Sequence, residues 1–422
     1  MQDTYSDGAR FRFQFTSAIG LALDSLRSHK LRTFLTLLGI MIGVASVILV
    51  GSAIDGLGLY ADESVSKAFG SQSFVLQQIG QIKSRRELFD KIKYNHELKL
   101  ADERYLEQIN GENTLYSAYR NATIDTKRED LTSEDTTIIG AAAELADIRD
   151  MAITEGRFFT RTEEQSAGLV AVIGDDLKEN LFPSIGTPLG RTFKIQGIDF
   201  TVVGVLERLG SAFGNSQDNV AYIPITTFNK LFGPGRSIAI FGRPKPSSGL
   251  SLEQSLDYTR VALRAKFHQK PGENDRFDFL TPDAIRGFID QLLALVALVV
   301  VPVTCISLVV GGIVIMNIML VSVTERTREI GIRKSLGARR ADIMMQILIE
   351  SVLMAFAGGA IGVGIGAVLT KLLTAAFGVT LRVTPAYVFL SVFVSGGVGV
   401  ISGWYPASKA AKLDPIVALR AE

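Results

Sequence analysis

Four long apolar stretches limit what this chain of 422 residues can fold into. One lies near the N-terminus and three lie in the last third, at residues 33–54, 292–323, 343–370 and 387–405. Each is long enough to cross the roughly 30 Å hydrocarbon core of a bilayer as an α-helix. A long polar segment separates the first stretch from the second. The pattern predicts an α-helical membrane protein with four transmembrane helices and a large domain inserted between helices 1 and 2.

Basic residues predict the orientation of these helices, because Lys and Arg of short connections collect on the cytoplasmic side of a membrane. Four spans place the N-terminus, the connection between spans 2 and 3, and the C-terminus on one side. The basic residues of these three segments are Arg10, Arg12, Arg27, Lys30, Arg32, Arg326, Arg328, Arg333, Lys334, Arg339, Arg340, Lys409, Lys412 and Arg420. The connection between spans 3 and 4 has only Lys371 and Arg382. We therefore predict cytoplasmic termini and an extracytoplasmic large domain.

The predicted organisation follows from the spans and their charged flanks. In chain order it is a cytoplasmic amphipathic N-terminal helix (1–32), transmembrane helix 1 (33–54), the extracytoplasmic domain (55–287), a stalk with transmembrane helix 2 (288–323), a cytoplasmic coupling loop (324–342), transmembrane helix 3 (343–370), a short external loop (371–386), transmembrane helix 4 (387–405) and a cytoplasmic tail (406–422). The N-terminal helix would lie on the inner leaflet or pack on a partner. Span 2 is longer than a bilayer requires, so its helix projects outward or tilts.

The external segment has the pattern of a mixed α/β domain. Strands are predicted at residues 74–79, 169–173, 192–195, 200–206 and 220–223, and helices at residues 100–109, 175–181, 226–231 and 251–266. The charged run 83–93 is typical of a solvated face or a mobile insertion. The single cysteine, Cys305, lies in span 2, so no intrachain disulfide can support this domain.

Composition and motifs give no indication of catalysis. The formal net charge of +1 offers no electrostatic case for binding nucleic acid. The histidines His29, His96 and His268 are scattered, and no HExxH, GxSxG or GxxxxGK[ST] motif occurs in the sequence. We therefore predict no catalytic residue, no metal site and no cofactor bound by this chain.

Small residues within the spans predict close helix packing. Gly358, Gly362 and Gly366 are four residues apart, so they form one bare helix face that lets another helix approach closely. The partner face could belong to the same chain or to a second copy. Glu350 is a formal charge inside a span, and we expect a structural ion pair or hydrogen bond there, since it lies near the inner surface.

The charged connection 324–342 combines a short helix, two isoleucines expected to be exposed, Ile330 and Ile332, and a turn at Gly337. Such a segment could seat apolar side chains in a partner's groove while Arg and Glu fix the register. It could equally be a solvated basic loop near anionic lipid. The residues alone do not decide between these two interpretations.

Several motifs resemble those of a known family. Residues 324–336 resemble the ERTREIGIRKALGA signature of the FtsX-like permease domain, and residues 347–366 and 405–420 resemble its third span and its C-terminal signature. Residues 26–46 resemble the opening of MacB-like permeases. Segments 156–159, 171–174, 181–183, 189–191 and 202–206 resemble the MacB-type periplasmic core domain. The resemblance extends over nearly the whole chain.

The resemblance implies a permease subunit of an ABC transporter in the bacterial inner membrane that works by mechanotransmission. It implies two permease chains in the bilayer and two copies of a separate ATPase that holds ATP and Mg²⁺, since the ATPase fused to MacB is not in this sequence. The residues that would contact the ATPase are Glu325, Arg326, Arg328, Glu329, Ile330, Arg333, Lys334 and Gly337.

Three functions are compatible with this resemblance. The preferred one is efflux of a drug, peptide or lipid from the periplasm or outer leaflet, with a membrane-fusion adaptor and an outer-membrane exit duct as further partners. The others are lipoprotein release, as in Lol relatives, and regulation of a cell-wall hydrolase, as in FtsX relatives. The size of the external domain disfavours the last.

Overall fold

The computed structural model describes residues 30–70, 72–80, 82, 84–183, 186–212, 215–377 and 381–420. The N-terminal helix predicted over residues 1–32 falls almost entirely outside these ranges. The chain divides into two compact units. The first, Met1–Tyr60 with Asp290–Glu422, is named the helical unit, and the second, Ala61–Ile289, is named the α/β unit.

The described elements alternate between long apolar helices and short mixed elements. The helices are α1 (Lys30–Phe69), α2 (Arg85–Tyr94), α3 (Leu100–Asn110), α4 (Leu145–Ile148), α5 (Arg161–Gln165), α6 (Asp175–Leu181), α7 (Ile225–Phe232), α8 (Leu252–Lys266), α9 (Pro282–Glu325), α10 (Thr327–Ser335), α11 (Arg340–Phe377), α12 (Pro385–Lys412) and α13 (Pro415–Arg420), with one 3₁₀ turn at Pro246–Ser248. The strands are β1 (Phe74–Gln77), β2 (Thr114–Arg128), β3 (Leu131–Ala141), β4 (Ile153–Gly156), β5 (Val170–Ile173), β6 (Thr192–Ile195), β7 (Ile198–Leu206), β8 (Ser211–Ala212), β9 (Asn215–Ser216), β10 (Val220–Pro224), β11 (Ala239–Pro244) and β12 (Asp278–Leu280).

Four helices of the described chain, α1, α9, α11 and α12, are long and apolar enough to cross a membrane by length and composition. Each contains one of the predicted spans and extends beyond it. Helix α9 has 44 residues and continues through Pro302, which corresponds to about 66 Å at 1.5 Å per residue. The predicted architecture of four apolar helices with an α/β domain after the first is confirmed.

The glycine face of α11 packs on α1 of the same chain. A Cβ atom built at Gly362 would lie 2.9 Å from both the carbonyl oxygen of Met41 and Cβ of Val44. Cβ atoms at Gly358 and Gly366 would contact the next residues along the same face of α1, Ile40 at 3.3 Å and Ile48 at 2.9 Å. The structure thus identifies the partner of this face, which the sequence had left open between the same chain and a second copy.

Tight contacts also join the other helices of this unit. The backbones of Gly39 on α1 and Gly311 on α9 approach closely, with a Cβ at Gly39 2.6 Å from Cα of Gly311. On α12, a Cβ at Gly399 would lie 2.7 Å from Cβ of Ala355 on α11. Because helices in lipid associate mainly through packing, such bare backbones favour close packing of α1 with α9 and of α11 with α12.

The α/β unit is built on one mixed sheet. Among the described residues its strands follow the order β12-β1-β11-β2-β3-β10-β5-β7-β4, with β6 pairing with β2 and β7. Strands β2 and β3 form a long antiparallel hairpin, whereas β10 runs parallel to β3 and β5 runs parallel to β7. Apolar clusters fill both faces. One face carries a cluster around Phe193 and Phe228 and another around Phe74 and Tyr116, and the opposite face carries a cluster that includes Val172, Tyr222 and Phe241.

The sequence predicted part of this unit. Strands β1, β5, β6, β7 and β10 and helices α3, α6, α7 and α8 lie where expected, within a few residues. The hairpin β2–β3 and the strands β4, β11 and β12 were not predicted. Residues 85–93 of the predicted charged run lie in helix α2, which is capped by the side chain of Ser84 and has no buried residue, so this helix is a solvated face.

Candidate functional site

The site begins with a short helix between two long ones. After α9 ends, Arg326 occupies the N-cap position of α10 without a side-chain capping hydrogen bond, and the hydroxyl of Thr327 donates to the carbonyl of Val323 at 3.1 Å. At the other end Gly337 has φ +98°, and its N–H donates to the carbonyl of Lys334 at 3.1 Å. A left-handed residue is the usual way to end a helix, so the turn predicted at Gly337 is confirmed. Helix α10 is therefore a rigid, bounded element.

The two isoleucines of α10 face opposite ways. Ile330 is buried at 7% exposure in a cluster with Val323 of α9 and Ile343 and Ile347 of α11. Ile332 is 44% exposed. At about 100° per residue, positions two apart lie on nearly opposite sides of a helix, so only one of them can face away from the bundle. The expectation that both are exposed is wrong for Ile330, which is a core residue.

Lys334 connects α10 to the end of α12. Its ammonium donates to the carbonyl oxygens of Ala411 and Leu413, each at 2.7 Å. These carbonyls lie at the C-terminus of α12, where backbone acceptors lack helical partners and a cation is favoured. Burial lowers the pKa of Lys334, and Arg340 adds to this, while Asp414 opposes it. Lys334 is thus a cap for α12.

Arg333 and Arg326 connect α10 to α11. One nitrogen of Arg333 donates to Oε1 of Gln346 at 2.7 Å, and another pairs with Glu329 one turn earlier on α10. Nη1 of Arg326 lies 3.6 Å from Oε1 of Glu350, which is only 8% exposed. This is the kind of structural ion pair expected for Glu350.

Helix α13 covers one side of α10. A Cβ atom at Gly331 would lie 2.7 Å from Cβ of Ala418, so the two helices approach at a position where α10 has no side chain. Among the side chains whose burial is described on these two helices and at the C-cap of α10, four large apolar ones remain uncovered. They are Ile332 at 44%, Leu336 at 83%, Ile416 at 67% and Val417 at 66% exposure, and we call them the α10–α13 surface.

The predicted contact residues therefore fall into two groups. Ile330, Arg333, Lys334 and, through Glu350, Arg326 are engaged within the chain. The exposed residues of the set are Glu325, Arg328, Glu329 and Gly337. Leu336, Ile416 and Val417 were not among the predicted contacts. The C-terminal signature at residues 405–420 covers α13 and could have indicated contacts at Ile416 and Val417. By itself this signature indicates only the family.

The described residues hold no group of three or more His, Cys, Asp or Glu side chains that could bind a metal ion. Cys305 is exposed on α9. The site presents exposed apolar side chains bordered by charges, on a helix that contacts α9, α11 and α12.

The described chain has four membrane-competent helices, an α/β unit inserted after the first and a short charged helix between the second and third. These features define a polytopic α-helical membrane protein. Residues 33–256 match the family model of the MacB-like periplasmic core domain, and residues 293–415 match that of the FtsX-like permease C-terminal domain. The chain belongs to the family of MacB-like permeases that combine these two domains.

Two curated relatives agree with this assignment. The macrolide export ATP-binding/permease protein MacB of Rhodospirillum rubrum is 34% identical over 410 residues, which cover 97% of this chain and 61% of that protein. The MacB of Bdellovibrio bacteriovorus is 33% identical over 410 residues, covering 94% and 61%. The chain thus spans about three fifths of the length of these relatives. The crystal structure of the periplasmic region of MacB from Actinobacillus actinomycetemcomitans has a TM-score of 0.43 at 17% identity, covering 53% of this chain and 95% of that one.

Proposed function

We propose that this chain is the transmembrane subunit of a MacB-like ABC transporter, which relays the motion of an ATPase to the α/β unit. The observation that carries the proposal is the construction of α10. Its inner side is fixed to three long helices through Ile330, Arg333 and Lys334, and its outer side bears Ile332 and Leu336 with charges beside them. A rigid body docked on that outer side would move all three helix ends together.

The proposed location is the bacterial inner membrane, with both termini and α10 in the cytoplasm and the α/β unit in the periplasm. The distribution of Lys and Arg among the short connections supports this orientation. Single cysteines at Ser335 and Ser166, both exposed, in a Cys305→Ala background should test it. We expect an impermeant thiol reagent on intact spheroplasts to label position 166 and not position 335. The reverse pattern would refute the orientation.

The proposed partner at the α10–α13 surface is an ATPase that binds ATP and Mg²⁺. Contact residues are assigned by exposure: Ile332, Leu336, Ile416 and Val417 fill its groove, and exposed charges such as Arg328 fix the register. Ile330, Arg333 and Lys334 contribute by holding α10 in place. A second permease chain completes the assembly in this proposal.

We propose export of a periplasmic or outer-leaflet substrate as the activity, with a membrane-fusion adaptor and an outer-membrane exit duct as further partners. The relatives that support this are macrolide export proteins. The described spans contain few ionisable groups, so a polar path for a charged solute between the helices is not favoured. Substrate handling is therefore assigned to the α/β unit.

The decisive experiment removes the exposed apolar side chains from the outer side of α10. The chain would be purified from its native membranes, the ATP-binding protein that it retains identified, and the complex reconstituted in nanodiscs. We expect the double variant Ile332→Ser, Leu336→Ser to lose ATPase binding while its thermal midpoint stays unchanged. Leu189→Ser, Ile198→Ser is the matched control, since both residues are exposed apolar residues of the α/β unit. Unchanged ATPase binding by the α10 variant would refute the assignment of this surface.

A further inference from the structure

A buried carboxyl group that forms no ion pair with a described residue lies in the α/β unit, with Arg161 acting on it only at a distance. Glu103 on α3 is 6% exposed and packs against β2, where its carboxyl group accepts a hydrogen bond from the backbone of Ala118. Within the described part of the chain, no Lys, Arg or His side chain forms an ion pair with it. Buried carboxyl groups of this kind are rare, because an ionised one loses hydration that nothing replaces.

Three further carboxylates surround this group. Glu107 lies one turn along α3, Glu144 immediately precedes α4, and Glu164 lies on α5. Arg161 of α5 is shared among them, with Nη2 2.9 Å from Oε1 of Glu107 and Nε 3.7 Å from Oε1 of Glu144.

The remaining contacts show how these elements are joined. Oε2 of Glu164 accepts a hydrogen bond from the backbone N–H of Ala143 at 2.8 Å. Arg104 on α3 is exposed and acts at a distance on Glu107. With Glu103 ionised, the cluster would thus contain four carboxylates and the two cations Arg104 and Arg161.

Burial and the neighbouring carboxylates raise the pKa of Glu103. Burial raises the pKa of Glu103 to about 8, and repulsion from Glu107, Glu164 and Glu144 adds to the effect. Burial also raises the pKa of Glu107 and of Glu164, although Arg161 opposes this. At neutral pH Glu103 therefore keeps its proton, and the shared Arg161 balances part of the remaining negative charge.

We propose that the Glu103 cluster is a proton-binding device that holds α3, α5 and the turn at Glu144 together and loosens them when the surrounding medium becomes alkaline. The native pKa of Glu103 lies above the unfolded value of about 4.3. Its contribution to the stability of the α/β unit is therefore complete below the unfolded pKa and is lost as pH rises through the native pKa. The response of the cluster to the pH of the external medium rests on the proposed periplasmic location of the α/β unit. The effect of its protonation on α3 and α5 does not depend on that location.

Hydrogen exchange on the full chain in nanodiscs tests the device directly. Exchange of segments 100–110 and 161–165, corrected for the intrinsic pH dependence, should accelerate severalfold between about pH 6 and about pH 9. Glu103→Gln imitates the protonated form and should remove this acceleration. Glu253→Gln is the matched control, since Glu253 is an exposed glutamate on α8 of the same unit, and it should behave as the parent chain. Equal acceleration in the parent chain and in Glu103→Gln would overturn the proposal.

A second variant keeps the test valid if Glu103→Gln does not fold. Glu144→Gln removes one repelling charge and only the longer of the two contacts to Arg161. It should lower the pKa of Glu103 and move the midpoint of the exchange transition to lower pH. A midpoint that stays in place or rises would overturn the proposal. None of these measurements depends on the ATPase, so their failure is distinguishable from failure of the proposed function.

Discussion

The glycine face of α11 gives a sharp prediction about helix packing. Gly362→Ala places a methyl group 2.9 Å from the carbonyl oxygen of Met41 and from Cβ of Val44, both on α1. Carbon atoms in good contact lie about 3.5–4.0 Å apart, so the two helices must separate or shift. Overpacking of this kind costs about 1–3 kcal/mol.

A neighbouring glycine separates this packing cost from other effects. Gly364 lies on the same helix, and a Cβ atom there would meet nothing within 4 Å. Replacing glycine by alanine inside a helix also brings a gain of up to about 1 kcal/mol in helix propensity, which is the same at both positions. The difference between Gly362→Ala and Gly364→Ala therefore measures the packing term alone, and we expect about 1–3 kcal/mol.

The chain offers a convenient signal for this comparison. Its single tryptophan, Trp404, lies on α12 of the helical unit, so its fluorescence reports unfolding of that unit. Titration of detergent-solubilised protein with dodecyl sulfate should give an earlier transition for Gly362→Ala and a parental or later one for Gly364→Ala. Equal transitions in the two variants would refute the packing of α11 on α1 described above.

Other predictions follow from single contacts. Lys334→Met should lower the stability of the helical unit by about 1–3 kcal/mol in the same titration, since two carbonyls of α12 lose a charged donor. Arg326→Leu should destabilise this unit more than Glu350→Gln, because Glu350 is the more buried partner. In the α/β unit, a hydrogen bond from Arg157 lowers the pKa of Glu163 to about 2, so its stabilisation is present above the unfolded pKa of about 4.3 and is lost as pH falls through about 2. Glu163→Gln should cost about 1 kcal/mol or less near pH 7, since the pair is partly exposed, and almost nothing near pH 2, as hydrogen exchange of residues 157–165 would show.

The helical unit was the more predictable part of the chain because its signals are local. Length and apolarity identify a span, and the four-residue spacing of Gly358, Gly362 and Gly366 identifies a contact face. The partner of that face is a long-range property. Residues 358–366 contact residues 37–48, more than 300 positions earlier, and no pattern within either segment specifies the pairing.

The hairpin β2–β3 was missed because its sequence lacks the usual strand signals. The second half of β2, residues 123–128, consists largely of polar and charged residues, and its side chains are mostly exposed or half-buried. The turn uses Glu129 with φ +54° where a glycine or asparagine is the common signal. Pairing with β3 and β6 stabilises a segment whose own residues give little indication of a strand.

The candidate site was also only partly predictable, because the exposure of its side chains depends on long-range packing. The sequence of α10 identifies a charged, amphipathic segment, but α10 meets α9, α11 and α13 on different sides. Exposure of Ile330 or Ile332 depends on where those three helices lie. The sequence could therefore offer a contact element as one interpretation of the segment, but it could not predict which of its side chains are exposed.

In the proposed function, the way in which α10 is held determines what it can transmit. A flexible loop carrying the same residues would absorb a displacement by bending. Here Ile330 is packed among apolar residues of α9 and α11, Arg333 is hydrogen-bonded to α11, and Lys334 is hydrogen-bonded to the end of α12. A displacement applied to Ile332 and Leu336 must therefore move three helix ends or break several of these contacts at once. Since packed interfaces shift between discrete arrangements and do not deform continuously, such a connection favours concerted motion of the helical unit.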